Sequence, residues 1–334
     1  MKNKNVFLSF MVIVFLLFLG GGVWYFFKGG VKQKDLVAIN VRLKWLHQSQ
    51  FAGNYVADQK GYYEKEGLKV SLKSYDYKND PIEDVVSGKA DFGVTGAENI
   101  IVARNKGMKV KALAVIYQDS PAAAFSLKSS GIFEAKDFIG KKIGVSKDLE
   151  TIIFTMLKAQ GVDYKKDMKV ITTDYGIDPV LNGKVDIGTG YVTNETIQLE
   201  EAGKEVNVFS PYKYGVKMYA DVLFTSEEMI KNKPEIVIAF VKATLKGWEY
   251  ALLHVDEAIN LTLLYKDENN KSLNFEHQKI LLEKSVPFIK PNNNRNIGEM
   301  NYVNWKRTNQ LLIDSGIISG KLDVSEMFTT DFIR

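Results

Sequence analysis

The side chains able to do chemistry in this sequence are aromatic rings, amides and carboxylates that follow the ends of apolar, strand-like segments. Trp45, His47, Gln48 and Gln50 come after the first segment, Tyr75 and Tyr77 after the second, and Gly96, Glu98 and Asn99 after the third. A second series has the same rhythm: Ser146 and Lys147, then Asp174 and Tyr175, then Tyr191, Thr193, Asn194 and Glu195. Rings stack on flat heterocycles and a carboxylate accepts hydrogen bonds from ring amines, so the set reads as a pocket for a small aromatic heterocycle. Arginine, whose planar fork suits sulfonate and phosphate, is scarce; Arg42, Arg104, Arg295, Arg307 and Arg334 are the five in the chain.

Each of these residues also has a bland reading. Trp45 sits on the apolar side of an alternating segment, where a core ring is ordinary. Glu195 falls in the first turn of a helix, where a carboxylate favours the dipole anyway. Trp248 and Trp305 lie on helical stripes and read as core. His254 and His277 are isolated and read as surface. The three histidines are too dispersed to suggest a metal site, and the sequence has no cysteine. That absence excludes disulfides, thiolate metal centres, thiol catalysis and a lipid-bearing cysteine. No catalytic residue, metal or cofactor is expected.

The elements that must position these residues follow from periodicity. Val37, Ile39, Val41, Leu43 and Trp45 alternate as a strand, followed by a helix over about Gln50–Glu64. Strands are then expected at Lys69–Ser74, Asp91–Thr95 and Lys109–Tyr117, with helices at Pro81–Ser87 and Glu98–Lys106. The order recurs, with strands at Lys142–Ser146, Met168–Thr173, Val185–Thr189 and Glu205–Phe209. Helices at about Glu150–Gln160, Pro179–Leu181 and Asn194–Ala202 lie between them. An internal near-repeat underlies this order: VVSGKADFGVTGAEN is answered by VLNGKVDIGTGYVTNE, and GLKVSL by DMKVIT. Alternating strands and helices with glycine at the turns predict α/β lobes, each a mostly parallel sheet flanked by helices.

After about Asp221 the pattern changes: Val222–Ser226 reads as one more strand, and the rest turns helical. Pro234 opens a long amphipathic helix carrying Ile236, Val237, Phe240, Val241, Leu245, Trp248 and Leu252 on one stripe. A helical tail without its own sheet must pack on the first lobe, which makes the second lobe an insertion. Residues 36–120 with 222–334 are therefore expected as one lobe and 121–221 as the other. Crossings near Ser120–Ser126 and Lys217–Val222 give a hinge and an interlobe cleft. Residues 1–35 read separately, because Val6–Phe27 is uncharged and long enough to span about 33 Å as a helix. That segment is expected as a membrane anchor or a signal peptide.

The chain has 334 residues, 46% apolar and 25% charged, with a net charge of +4, which excludes a disordered chain and gives no sign of nucleic-acid binding.

LKWLHQSQFAGNYVADQKGYYEKEGLKV, the SGKADFGV turn, GTGYVTNE and PEIVIAFVKATLKGWEYALLHVDEAI resemble type II periplasmic substrate-binding proteins of ABC importers. Within these the chain resembles the group related to thiamine-pyrimidine synthases. The resemblance implies that the ligand ring stacks on Trp45 and that Glu195 takes an exocyclic amine. It implies an extracytoplasmic, membrane-associated receptor for a thiamine pyrimidine precursor, hydroxymethylpyrimidine or formylaminopyrimidine. Riboflavin, a nitrile or an alkanesulfonate are the alternative ligands. A pyridoxal-phosphate-dependent pyrimidine synthase is the alternative class, and the missing cysteines weigh against it. Expected partners are an ABC permease with its ATPase and the membrane; the receptor itself is expected to be a monomer.

Overall fold

Val37–Arg42 forms the first strand, β1, with Ile39 and Val41 buried on one face, as the alternation requires, while Val37 on the same face is exposed at the strand's start. The computed structural model describes residues 35–75, 79–173, 176–265, 270, 272–291, 296–320 and 322–333. The apolar segment Val6–Phe27 lies outside them. Val37–Arg334 forms one compact unit, distinct from Met1–Leu36. Among the described residues no helix is long and apolar enough to cross a membrane.

The strands after β1 are β2 (Leu68–Lys73), β3 (Phe92–Thr95), β4 (Val110–Tyr117) and β5 (Ala122–Leu127). They continue as β6 (Lys142–Val145), β7 (Lys169–Thr172), β8 (Gly188–Tyr191), β9 (Val206–Phe209) and β10 (Ala220–Ser226). One sheet has the order β2-β1-β3-β10-β4, with β10 alone antiparallel to its neighbours. In the other half β8-β5-β9 and β6-β7 are joined by a parallel bridge between Ile143 and Ile187. The resulting order, β7-β6-β8-β5-β9, reproduces the first, and β5 is again the reversed strand. The reversed strands are the two with which the chain enters a sheet from the other half.

The internal repeat has a structural meaning. Asp91 Oδ2 accepts from the Asn40 backbone N–H at 2.8 Å, and Asp186 Oδ2 accepts from Lys142 N–H at the same distance. In each half one aspartate ties the turn before the third strand to the first strand. The preceding glycines, Gly88 and Gly183, have φ of 75° and 71°, a conformation that disfavours any side chain.

Three elements differ from the periodicity. The helix expected over Gln50–Glu64 is split into Ala52–Gln59 and Tyr62–Lys65 by a turn at Gly61, whose φ is 66°. The third strand of the second half begins at Gly188, three residues later than expected. β5 was expected only as a crossing, because AAAFSL is buried on both faces and shows no alternation.

The long helix Pro234–Leu253 packs on the helix Ala52–Gln59, and the contact depends on two glycines. A Cβ on Gly53 would lie 2.1 Å from the Trp248 ring, and one on Gly247 would lie 2.1 Å from the Gly53 carbonyl oxygen. Trp248 and Trp305 are both fully buried. The tail thereby fixes the helix that begins beside Trp45 and Gln50.

Candidate ligand-binding site

Beyond Arg42 the first strand breaks into an irregular segment that carries Lys44, Trp45, Gln48 and Gln50. The Tyr75 N–H donates to the Trp45 carbonyl at 3.0 Å and pins the segment to the end of β2. A narrow cavity of about 10 Å³, room for about one water molecule as the side chains stand, lies there. Trp45, Gln48 and Gln50 line it from one side and Leu149, Gly190, Tyr191 and Glu195 from the other, with Lys44 and Asp148 between them. Trp45 is 8% exposed, so its ring is a wall of this cavity rather than a surface group.

Lys44 is the centre of the site. Its ammonium donates to Tyr191 Oη at 2.8 Å and stands 3.5 Å from Asp148 Oδ2 and 3.8 Å from Asp221 Oδ1. Tyr191 Oη in turn donates to Asp221 at 3.1 Å, and the Gln50 amide donates to both Asp221 oxygens. Gln48 donates to Gln50 at 2.7 Å and completes the chain of bonds. Burial alone would push the lysine pKa down, but Asp148, Asp221 and Glu98 outweigh it and hold it above the ordinary value. Burial raises the Asp148 and Asp221 carboxyls, and one ammonium does not fully offset it. Burial likewise drives the Tyr191 hydroxyl well above its usual range, so it stays a neutral donor. Asp221 has a φ of 48°, left-handed and strained for a residue with a side chain, where β10 begins.

The two halves place equivalent glutamates. Glu98 lies in the first turn of the helix after β3, and Glu195 in the first turn of the helix after β8. Each folds over the glycine beside the strand end. A Cβ on Gly96 would stand 2.1 Å from Glu98 Oε1, and one on Gly190 2.4 Å from Glu195 Oε2. Burial pushes both carboxyls up to about 7. Their bonding differs. Glu195 accepts from the Tyr191 N–H and from the Asn194 amide, both at 2.7 Å, whereas Glu98 Oε2 is buried without a hydrogen-bond partner.

Two wider compartments flank the cavity. One, of about 180 Å³, shares Lys44 and Asp148 with it and adds Thr95, Asn99 and Thr151. The other, of about 300 Å³, shares Trp45, Gln48 and Glu195 and adds Asp178, Asn194 and Gln198. Asn99 donates to the Asp148 carbonyl at 3.2 Å and accepts from Thr151.

Of the residues expected from the sequence, Trp45, Gln50, Tyr191 and Glu195 line the central cavity, Asn99 and Asn194 the flanking compartments, and Glu98 sits buried beside Lys44. His47 goes elsewhere: its Nδ1 lies 3.0 Å from Tyr55 Oη, and its ring packs against Tyr55 and Tyr265. Tyr77, Asp174 and Tyr175 lie outside the described residues. His277, expected at the surface, is 1% exposed. Its Nε2 is 2.9 Å from Asn194 Oδ1 and its Nδ1 3.0 Å from Glu201, so it supports the amide that holds Glu195. Lys44, Asp148 and Asp221 were not expected, since isolated charged residues near turns usually face water. Among the described residues no group of three His, Asp or Glu side chains is placed to hold a metal ion.

Residues 48–258 match the family described as NMT1/THI5 like. The riboflavin-binding protein RibY of Chloroflexus aurantiacus is 29% identical over 90% of this chain and 87% of its own. A formylaminopyrimidine-binding protein of Halalkalibacterium halodurans is 30% identical over 75% and 78%. A 4-amino-5-hydroxymethyl-2-methylpyrimidine phosphate synthase of Legionella pneumophila is 24% identical over 88% and 92%. The solved periplasmic aliphatic sulphonate binding protein SsuA of Escherichia coli superimposes with a TM-score of 0.64 at 14% identity, covering 88% of this chain and 92% of that one. The fold is thus the two-lobed one of the periplasmic binding proteins.

Proposed function

The chain belongs to the NMT1/THI5-like family, and from that premise we propose that it is a solute-binding protein whose cleft closes on a small aromatic heterocycle. The observation that carries the reading is that Trp45 and Glu195, from opposite halves of the repeat, line one cavity. A ring stacked on Trp45 can present its donor edge to Glu195 while Gln48 and Lys44 supply donors to its acceptors. The first ligand to consider is a thiamine pyrimidine precursor, hydroxymethylpyrimidine or formylaminopyrimidine. Riboflavin is the second reading; the flanking compartments of about 180 and 300 Å³ favour it, because they leave room for a tail beyond the ring. A sulfonate is disfavoured, since Lys44, the cation of the central cavity, is already held by Tyr191 and two carboxylates.

In this reading residues 36–120 with 222–334 form one lobe, 121–221 the inserted lobe, and ligand binding shifts the population toward closure. The receptor works outside the cytoplasm, held by residues 1–35 or released after their removal, and delivers its ligand to an ABC permease. It binds rather than catalyses: the sequence lacks every cysteine that the pyrimidine synthases of the resemblance require. A thermal-shift titration with hydroxymethylpyrimidine, formylaminopyrimidine, riboflavin and an alkanesulfonate tests this. One of the first three is expected to raise the midpoint; a shift with the sulfonate alone contradicts the ligand class.

A further inference from the structure

The central cavity is short of positive charge. The Lys44 ammonium meets Asp148 and Asp221 within 4 Å and interacts electrostatically with Glu98, while Glu195 lines the same cavity. One cation thus stands among four carboxyl groups. Glu98 makes the shortage concrete, because the side chain is 3% exposed and its Oε2 accepts no hydrogen bond. Its neighbours Thr95 and Asn99 line the compartment that contains Lys44 and Asp148, and Glu98 acts on that space through its charge interaction with those two residues. The titratable groups around Glu98 are Lys44 after β1, Asp148 after β6, Tyr191 at the end of β8 and Asp221 in β10. Buried negative charge without a counter-ion is costly, and either a proton or an incoming cation removes the cost.

We infer that the cleft selects its ligand by charge, taking a heterocycle that carries a positive charge, fixed or acquired by protonation, and refusing an anionic one. The inference rests on the solute-binding reading and narrows its ligand class. It also fixes the pH response. A permanently cationic ligand binds best when the carboxyls are ionised, so its affinity rises as the pH increases through about 7. A neutral ligand of the same shape gains nothing from ionised carboxyls and binds with proton uptake, so its affinity falls over the same interval.

Calorimetric titration of the full chain with two pairs of probes tests this. Thiamine carries a fixed positive charge that its neutral relative thiochrome lacks, and flavin mononucleotide adds a phosphate to riboflavin. At pH 8 thiamine is expected to bind at least tenfold more tightly than thiochrome, and riboflavin at least tenfold more tightly than flavin mononucleotide. Between pH 6 and 8 the thiamine affinity is expected to rise, and Glu98→Gln to narrow the thiamine-to-thiochrome ratio at least threefold. Equal affinities within either pair, or an unchanged ratio in Glu98→Gln, overturn charge selection while leaving a solute-binding protein in place. Absence of binding by all four probes overturns the inference, and overturns the solute-binding reading as well where hydroxymethylpyrimidine and formylaminopyrimidine also fail to bind.

Discussion

Lys44 Nζ donates to Tyr191 Oη across 2.8 Å, joining the segment after β1 to the end of β8. The bond links the two halves of the internal repeat at the point where the residues lining the central cavity meet. Because Asp148 and Asp221 share the same ammonium, the lysine is both a bridge and the counter-ion of the cavity.

Removing that counter-ion leaves buried carboxylates unpaired. Lys44→Met is expected to lower unfolding stability by about 3–5 kcal/mol, the range for breaking a buried ion pair from one side. Tyr191→Phe removes only a hydroxyl and is expected to lose about 1 kcal/mol. Urea denaturation of the two variants checks the order; a Lys44→Met protein as stable as the parent contradicts the role of the lysine.

Gly190 makes room for a carboxyl group. An alanine there would place its Cβ 2.4 Å from Glu195 Oε2, and the glutamate would have to leave its bonds to Tyr191 N–H and the Asn194 amide. Gly190→Ala is therefore expected to weaken ligand binding about as much as Glu195→Ala, roughly tenfold or 1.4 kcal/mol. Calorimetry with whichever heterocycle shifts the melting midpoint provides the measurement. Undiminished affinity would mean that the carboxyl position is unimportant.

The pH dependence of stability has a defined sign. In the folded chain Glu98 and Glu195 hold their protons up to about pH 7, against an ordinary value of 4.5. The folded state binds more protons between those values, so this contribution is full below about 4.5 and is lost as the pH rises to about 7. Asp137 and Asp163 are held below their ordinary range, the first by backbone N–H groups and the second by Lys158, and their contribution is lost on acidification. Maximum stability is expected near pH 4.5, between these two windows. Melting curves should show the midpoint falling from pH 5.5 to 7.5 in the parent and less so in Glu98→Gln. A midpoint that rises over this interval contradicts the assignment.

Much of this was legible in the sequence, for identifiable reasons. The repeat revealed the same succession of elements in both halves because Asp91 and Asp186 make the same bond in each, a constraint that preserves spacing. Trp45 and Glu195 stood out because they follow strand ends and match the positions to which the resemblance gives contact with the ligand. β5 was hidden because Ala122, Ala123 and Ala124 carry no alternation and little strand propensity. Lys44 and Asp221 were hidden because their roles come from tertiary neighbours far along the chain. His277 was hidden for the same reason, since Asn194 and Glu201 reach it from the other half.

The central claim is that one heterocycle is held between Trp45 and Glu195. Calorimetric titration of the parent, Trp45→Ala and Glu195→Ala with hydroxymethylpyrimidine and with riboflavin tests it most directly. The account predicts saturable binding of at least one of them by the parent, and at least tenfold weaker binding by both variants with folding intact. Parent-like affinity in either variant would contradict it.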